Sequence, residues 1–263
     1  MFNLSPTDKN TIDDFSYVLE SFYLWTDPKD VHVGNACRSL GYWEGDVTQW
    51  MMDNIKPGWK CLDIGFNIGY FTEVMSRLVG TDGSVTAFEP NKMLVEKYME
   101  AKKLNDYSNC GKIIVNGFGL SNKDEKINLV IPKDNPGGAG ITESMYKSSD
   151  GSFSSVEVEV KRLDSVFDEE VDFIKMDIEG HEPLAWEAFP ESVKNCNLMV
   201  IELGPYHPVE FLEELASKYT MSHINGYKRE NGNLVAKCEE DIPVKYILRY
   251  PHHLNVVLRR KDV

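Results

Sequence analysis

The chain has 263 residues, of which 42% are hydrophobic and 27% charged, so it can bury one full core and is neither disordered nor fibrous. Its 28 basic and 42 acidic residues give a net charge of −14, which is the wrong sign for a protein that neutralises phosphates. Nucleic acid is therefore not expected as a partner.

Compartment and membrane association can also be judged from composition. Five scattered cysteines, without a Cys-x-x-Cys pair, predict free thiols in a cytoplasmic protein and no metal site. The first residues show no basic start followed by an apolar stretch, so no secretion signal is expected. No apolar run approaches the roughly 20 residues that span a bilayer, so no membrane partner is expected either.

The first part of the chain, residues 1–56, is predicted to be a helical extension. Apolar residues from Thr7 to about Trp25 recur at helical spacing and predict an amphipathic helix with an aromatic stripe. The stripe favours packing on the main core, and a homodimer through this helix is the alternative. A second short helix is predicted over Val47–Ile55, and Pro57-Gly58 then ends the extension.

Residues 57–263 are predicted to form the main domain, because short apolar runs now alternate with amphipathic stretches such as Tyr70–Val79. Strands that are apolar throughout and separated by helices predict an α/β fold with a doubly wound, mostly parallel sheet of seven strands. The seven runs are Trp59–Ile64, Ser84–Phe88, Lys112–Val115, Val171–Met176, Leu198–Leu203, Met221–Ile224 and Asn255–Leu258.

One segment breaks this alternation of strands and helices. Lys126–Ile131 and Ser155–Val160 each alternate apolar and polar residues, which predicts an antiparallel excursion from the main sheet. The connection between them contains a glycine-rich stretch, Gly137–Gly140. Such a loop is typical either of a lid near a site or of a tolerated insertion.

The chemistry is expected where strands end, because open parallel sheets bind ligands at their carboxyl edge. The first turn places Asp63 two residues ahead of Gly65, followed by Asn67 and Gly69, and glycine lets the backbone approach a ligand closely. This turn lacks the second and third glycines of the dinucleotide fingerprint, which argues against NAD. Glu89 follows the next strand, 24 residues after Gly65, where a carboxylate can accept hydrogen bonds from a ribose.

Four motifs in register resemble those of the FkbM-type methyltransferases. They are Asp63-Ile-Gly-Phe-Asn-Ile-Gly-Tyr-Phe71, Ala87-Phe-Glu-Pro-Asn91, Leu163-Asp164 and Asp172-Phe-Ile-Lys-Met-Asp-Ile-Glu-Gly-His-Glu182. The resemblance covers about Pro57 to Leu203 and implies a class I (Rossmann-like) methyltransferase fold that binds S-adenosylmethionine. His181 and Phe66 stand where small residues are common in the family.

The resemblance also implies which residues hold the cofactor. The first turn would line its methionyl half, Glu89 its ribose, and the loop after the third strand its adenine, with Asp177 beside the transferred methyl group. The implied cofactor residues are Asp63, Gly65, Asn67, Gly69, Glu89, Asn116, Gly117, Phe118 and Asp177.

Asp177, Glu179 and His181 are the candidate catalytic residues, because methyl transfer to a hydroxyl requires a base that removes its proton. One hypothesis makes His181 the base, with Asp177 positioning the acceptor, and a second makes Asp177 the base. In a third interpretation, Glu179 and Glu182 favour the start of the following helix and His181 faces solvent. Transfer from a sulfonium does not strictly require a metal.

The expected function is therefore S-adenosylmethionine-dependent O-methylation of a hydroxyl on a sugar or other small-molecule acceptor, with S-adenosylhomocysteine as product. Two alternatives remain, an N- or carboxyl-methyltransferase on the same fold, and a non-catalytic adenosyl-binding interaction module. Glu202, Tyr206 and His207, at the end of the fifth strand, are candidates for the acceptor pocket. The turn that contains them lacks the Asn/Asp-Pro-Pro-aromatic motif of enzymes that methylate nucleic-acid amino groups.

Overall fold

The computed structural model describes residues 11–132, 139–140, 153–230 and 233–261. Within these ranges the chain forms a central sheet of eight strands and two smaller sheets of three strands each. Helices connect most strands of the central sheet, as the α/β prediction requires.

The N-terminal segment forms strands where a helix was predicted. β1 (Thr11–Ile12), β2 (Phe15–Val18) and β3 (Phe22–Trp25) pair antiparallel in that order. The prediction of an amphipathic helix from Thr7 to about Trp25 is therefore wrong, and its first residues lie outside the described part of the chain. Aromatic and β-branched side chains, which are dense in this segment, favour strands over helices.

A tight turn between β2 and β3 fixes the local structure. Leu19 and Glu20 have φ of 52° and 51°, and the Ser21 N–H donates to the Val18 carbonyl at 3.0 Å. Two successive residues with positive φ define a type I′ turn, whose twist matches that of the two strands it joins. A helix cannot continue through these two residues.

Two helices complete the extension, α1 (Val33–Leu40) and α2 (Gly45–Asn54), and α2 begins two residues before the predicted Val47–Ile55. The extension packs into the same apolar cluster as the central sheet, with Phe22 and Trp50 buried beside sheet residues. The segment that was to form the dimer helix therefore forms strands, with Phe22 and Trp25 packed into this core, and a homodimer stays a prediction.

The remaining strands and helices follow in sequence. The strands are β4 (Lys60–Ile64), β5 (Ser84–Phe88), β6 (Lys112–Asn116), β7 (Gly119–Leu120), β8 (Glu125–Pro132), β9 (Phe153–Lys161), β10 (Phe173–Met176), β11 (Leu198–Leu203), β12 (Tyr219–Glu230), β13 (Asn233–Glu239) and β14 (Leu254–Arg260). The helices are α3 (Tyr70–Val79), α4 (Lys92–Lys102), α5 (Leu163–Val166), α6 (Glu182–Glu187), α7 (Glu191–Lys194), α8 (Val209–Lys218) and α9 (Val244–Arg249).

The central sheet has the strand order β13-β12-β14-β11-β10-β4-β5-β6 in the described residues. The five strands from β11 to β6 are parallel, whereas β14, β12 and β13 pair antiparallel. The α/β architecture is as predicted, but the sheet is mixed and has an eighth strand. Its extra strand, β13, mixes apolar and charged residues, so it lacks the apolar run by which the other strands were found.

The antiparallel excursion is present as predicted. β8 and β9 pair antiparallel, with Leu129 opposite Val156, and β7 adds a short parallel pairing to β9. Of the predicted loop Gly137–Gly140, the first two positions lie outside the described residues. Gly140 itself exchanges two backbone hydrogen bonds with Val130.

Alternate residues of the parallel strands face two separate apolar clusters, one on each side of the sheet. In β4, Cys61 faces the cluster shared with the extension and α3, and Leu62 faces the opposite cluster. All five cysteines are free. Among the helices that the structure describes, none combines the length and apolarity needed to cross a bilayer.

Candidate active site

A cavity of about 230 Å³ opens at the carboxyl ends of β4, β5, β10 and β11. The strand order reverses here, because β5 lies on one side of β4 and β10 on the other. Such a reversal is where doubly wound sheets bind ligands. The cavity therefore lies where the sequence motifs placed the chemistry.

The turn after β4 needs glycine at both predicted positions. Gly65 has φ of 84°, and a Cβ there would lie 2.0 Å from the Asp177 carbonyl oxygen. Gly69 has φ of 89°, and a Cβ there would lie 2.3 Å from the Tyr98 ring. The turn thus packs directly against the end of β10, and Gly65 and Asn67 line the cavity.

Glu89 is held in place at the cavity wall by backbone donors. Its two carboxylate oxygens accept hydrogen bonds from the N–H of Asn67 at 3.0 Å and from the N–H of Asn91 at 2.9 Å. Burial raises the pKa of Glu89 to about 7, although these two N–H groups favour the charged form. The carboxylate is therefore fixed in orientation before any ligand binds.

Asp63 is buried and is not one of the residues that line the cavity. One of its oxygens accepts a hydrogen bond from the Thr72 hydroxyl at 2.5 Å. Burial raises the pKa of Asp63 to about 6, against the opposing influence of Lys175. In the described structure Asp63 binds Thr72 of α3, and its predicted contact with the cofactor remains a prediction.

Lys175 lies inside the fourth motif but was given no role from the sequence, and it interacts electrostatically with both Asp63 and Asp177. It lies opposite Asp63 in the register of β10 and β4, and its Nζ donates to Asp177 Oδ2 at 2.9 Å. Burial lowers the pKa of Lys175, but the nearby carboxylates of Asp177, Glu44 and Asp63 outweigh burial and raise it overall. A buried cation therefore holds the carboxylate that the family motif places beside the methyl group.

The three residues of the predicted adenine loop lie outside the cavity lining, and their contact with the cofactor stays a prediction. Asn116 donates its side-chain N–H to the Ala87 carbonyl, and Phe118 packs on Phe88 with ring centroids 5.7 Å apart. Neither these two residues nor Gly117 is part of the cavity lining, which instead includes Gly119 and Leu120 immediately after them.

His181 lines the cavity, with its Nε2 3.0 Å from the hydroxyl oxygen of the buried Ser121. Burial lowers the pKa of His181, while Glu182 and Glu125 raise it to a smaller extent. The imidazole is therefore neutral at pH 7. The structure places it in the cavity wall and not in open solvent.

Glu182 has a supporting role in the turn after β10. It is fully buried, its Oε1 accepts a hydrogen bond from the Ile178 N–H at 2.9 Å, and its Oε2 lies 2.9 Å from His207 Nε2. This contact does not cap α6, because the Ile178 N–H belongs to the turn before the helix and the N-cap residue, His181, makes no side-chain capping hydrogen bond. His207 binds this carboxylate and does not line the cavity.

A group of acidic residues lines the other end of the cavity. Glu202 and Glu179 both have a pKa raised well above the ordinary value, first by burial and then by the charge of Asp177. His253 Nδ1 lies 2.9 Å from Glu202 Oε2 and 3.1 Å from the Tyr206 hydroxyl. Glu202 thus lines the cavity and Tyr206 does not, and a role for either in binding the acceptor stays a prediction.

Glu44, from the extension, completes this acidic wall. Its Oε1 accepts a hydrogen bond from the Asn255 side chain at 3.1 Å, and burial raises its pKa to about 7. Neither Glu44 nor His253 was identified from the sequence. Both lie in loops outside the motifs, and only the folded chain brings them to the strand ends.

Comparison with solved structures gives low sequence identities. The chain is similar to a Methyltransferase FkbM from Methylobacillus flagellatus (19% identity, 68% of this chain, 42% of that chain, TM-score 0.41). It is also similar to a SAM-dependent O-methyltransferase from Thermotoga maritima (13% identity, 99% and 88% coverage, TM-score 0.43). A third similar structure is an O-methyltransferase from Bacillus cereus in complex with SAH (10% identity, 82% and 80% coverage, TM-score 0.43).

The similar structures are too distant in sequence to assign a family, so the assignment comes from a family model. Among curated proteins, none matches the chain significantly. The model of the Methyltransferase FkbM domain matches residues 63–233, which is more than half of the 263 residues and includes all four motifs. The match runs from Asp63 through the cavity-lining ends of β4, β5, β10 and β11. The chain belongs to the FkbM methyltransferase family.

Proposed function

We propose that this protein methylates a hydroxyl group of a sugar or another small-molecule acceptor, with S-adenosylmethionine as the methyl donor. Family membership supports methyl transfer, and the assignment of a hydroxyl as the acceptor group goes beyond it. The observation that carries it is His181, a neutral imidazole in the wall of the cavity, four residues beyond Asp177.

The residues of the cavity fit an adenosyl cofactor. The Gly65 turn leaves backbone exposed where a Cβ would be excluded, and Glu89 offers an oriented carboxylate for a ribose. Gly65, Asn67 and Glu89 would hold the cofactor. When bound, S-adenosylmethionine supplies a methyl group that is already activated by a sulfonium.

The chain's own residues then have to prepare the acceptor. A hydroxyl keeps its proton at neutral pH, and a positioned base contributes about 10²–10⁴-fold to the rate of such a reaction. His181 accepts that proton, Ser121 fixes its ring, and Asp177, held by Lys175, positions the acceptor. A base whose pKa lies at or below neutral pH is unprotonated and ready for this task.

N-methylation is the competing candidate, and one observation favours it. The carboxylates of Glu44, Asp177, Glu179 and Glu202 line one end of the cavity and would attract a protonated amine. An amine gives up its proton more easily than a hydroxyl, so an N-methyltransferase would not depend on His181.

Cofactor binding is tested first, by thermal unfolding of the full chain with S-adenosylhomocysteine and, separately, with NAD. At 100 times its dissociation constant a ligand adds about 2.7 kcal/mol, which raises the midpoint by about 5–10 °C for a protein of this size. We expect this shift with S-adenosylhomocysteine alone. Glu89→Gln should remove it, and Glu213→Gln, on the exposed face of α8, should not. A shift with NAD alone would contradict the proposal.

The acceptor class is tested with paired hydroxyl, amine and carboxyl compounds and mass spectrometry of the methylated products. We expect methyl ethers, and we expect His181→Ala to lower kcat by about 10²–10⁴ without loss of the S-adenosylhomocysteine shift. His252→Ala, at an exposed histidine, is the matched control. Methylation of amines only, with full activity of His181→Ala, would overturn O-methylation in favour of N-methylation.

A further inference from the structure

Three potential metal ligands converge at the acidic end of the cavity from separate parts of the chain. Glu179 follows β10, Glu202 lies in β11, and His253 immediately precedes β14. One ligand atom of each lies within 4.8 Å of the others. The antiparallel pairing of β11 with β14, with Glu202 opposite Asn255, holds His253 beside Glu202.

Four carboxylates gather around this point of the cavity, those of Glu44, Asp177, Glu179 and Glu202. Within the cluster, His253 Nδ1 lies 2.9 Å from Glu202 Oε2. The Lys175 ammonium binds Asp177 Oδ2. A divalent cation bound between carboxylates would reduce their mutual repulsion.

A second observation concerns Glu44 of the extension and indicates a cation or hydrogen-bond donor at this end of the cavity. Glu44 lines the same cavity and lies near enough to Glu202 to affect its pKa. Its Oε2 atom is buried and has no hydrogen-bond partner among the described residues. Buried carboxylate oxygens are normally satisfied, so an unpartnered one in this wall indicates a ligand that donates to it, such as a metal-bound water.

We propose that Glu179, Glu202 and His253 bind one divalent transition-metal ion of the Mn²⁺ type. Two carboxylates balance the charge of such an ion, and the mixed set of oxygen and imidazole ligands suits first-row metals. Mg²⁺ is less suitable, because it prefers oxygen ligands and waters. An organic ammonium ion would gain little from the imidazole lone pair, which is the feature that favours a metal.

The metal-binding nitrogen is His253 Nδ1, which faces Glu202. Binding there uses the lone pair of that nitrogen, so the metal would replace the contacts that Nδ1 makes with Glu202 and Tyr206. The site is independent of the hydroxyl proposal, since a metal ion can bind without cofactor or acceptor.

The experiment titrates MnCl₂ into the full chain and measures free Mn²⁺ by electron paramagnetic resonance, without cofactor or acceptor. We expect one Mn²⁺ bound per chain. His253→Ala and Glu202→Gln should each weaken binding at least tenfold, a loss on the scale known for metal-site variants. His252→Ala is the matched control and should bind Mn²⁺ as the unmodified protein does.

The variants separate the site from general effects of charge and folding. The His253 side chain is 45% exposed, so His253→Ala should fold normally even if Glu202→Gln does not. No Mn²⁺ bound to the unmodified protein would overturn the proposal. So would unchanged binding in His253→Ala, because the carboxylates would then attract cations without a site. Neither result bears on O-methylation, which is measured by turnover.

Discussion

Glu44, Asn67 and Glu179 hold a left-handed backbone conformation in the wall of the cavity, with φ of 35°, 55° and 56°. They are three of the seven non-glycine residues with positive φ in the described part of the chain. Such conformations cost about 1–3 kcal/mol each and persist only where the surroundings enforce them. Three of these seven positions therefore lie in the cavity wall, and two of the three carry carboxylates.

Single residues were predictable only where the motif itself fixes their position. Glu89 and Asp177 follow strands directly, so reading the end of an apolar run located them. Glu44 and His253 belong to loops that approach the cavity from opposite ends of the chain, and no local pattern marks them. Lys175 was hidden by its place inside a buried strand, where a charge is unusual.

Glu44→Gln is expected to stabilise the protein at high pH. The pKa of Glu44 is about 7 in the folded protein and near 4.5 ordinarily, so the folded state holds this proton more tightly. Stability is therefore lost as pH rises from about 4.5 to about 7, and the glutamine variant escapes this loss. At pH 8 the variant should be more stable by up to about 3 kcal/mol, and at pH 4 the difference should be small.

Thermal unfolding at pH 4, 6 and 8, without added metal or cofactor, measures this difference. Glu213→Gln, at an exposed site on α8, should follow the unmodified protein at every pH. A midpoint difference between Glu44→Gln and the unmodified protein that does not grow with pH would show that Glu44 is not strained by its charge.

At the scale of elements, the chain was predicted best where strand and helix patterns are long and unmixed. α3 spans Tyr70–Val79 as predicted, and β5 spans Ser84–Phe88. The N-terminal segment failed because its aromatic residues satisfy both periodicities, and the turn at Leu19 and Glu20 carries no glycine or asparagine to reveal it. Leu19 is buried, and its N–H donates to the Gly41 carbonyl at 2.8 Å, which ties the turn to the rest of the extension.

The variant Glu20→Gly distinguishes the observed turn from the predicted helix, because it should raise the free energy of unfolding in a turn and lower it in a helix. Glu20 is exposed and has φ of 51°, a conformation that glycine adopts without steric cost. We expect the variant to be more stable by about 0.5–1 kcal/mol. In a helix the same change would destabilise by about 1 kcal/mol.

Chemical denaturation of Glu20→Gly and of Ala101→Gly makes the comparison. Ala101 lies within α4, so its replacement should lower the midpoint while Glu20→Gly raises it. A decrease for both variants would mean that the segment around Glu20 is helical in solution.

At the scale of the whole molecule, the expectation that nucleic acid is not a partner rests on the net charge of −14 and stays a prediction. The basic tail is used internally: Arg259 binds the Asn54 side chain, Arg260 the Asn195 carbonyl and Lys261 the Ala216 carbonyl. With a net charge of −14, we expect no binding of duplex DNA or single-stranded RNA tighter than about 10⁻⁴ M at physiological salt.

Fluorescence anisotropy with labelled oligonucleotides measures this binding, with and without S-adenosylhomocysteine. Micromolar binding that weakens steeply with salt would contradict the expectation, because such dependence is the signature of phosphate neutralisation. Replacing Arg259, Arg260 and Lys261 together by glutamine would then show whether the tail is responsible.

The wall of the cavity is built from two separate regions of the sequence. The family match begins at Asp63, yet His32, Val33, Trp43 and Glu44 lie before it and still line the cavity. Two regions of sequence that can diverge separately therefore meet around one chamber. Relatives that share the motifs but differ in their first 56 residues would keep S-adenosylmethionine as methyl donor and accept different methyl acceptors. Substitutions in the extension are therefore the natural way to change the acceptor.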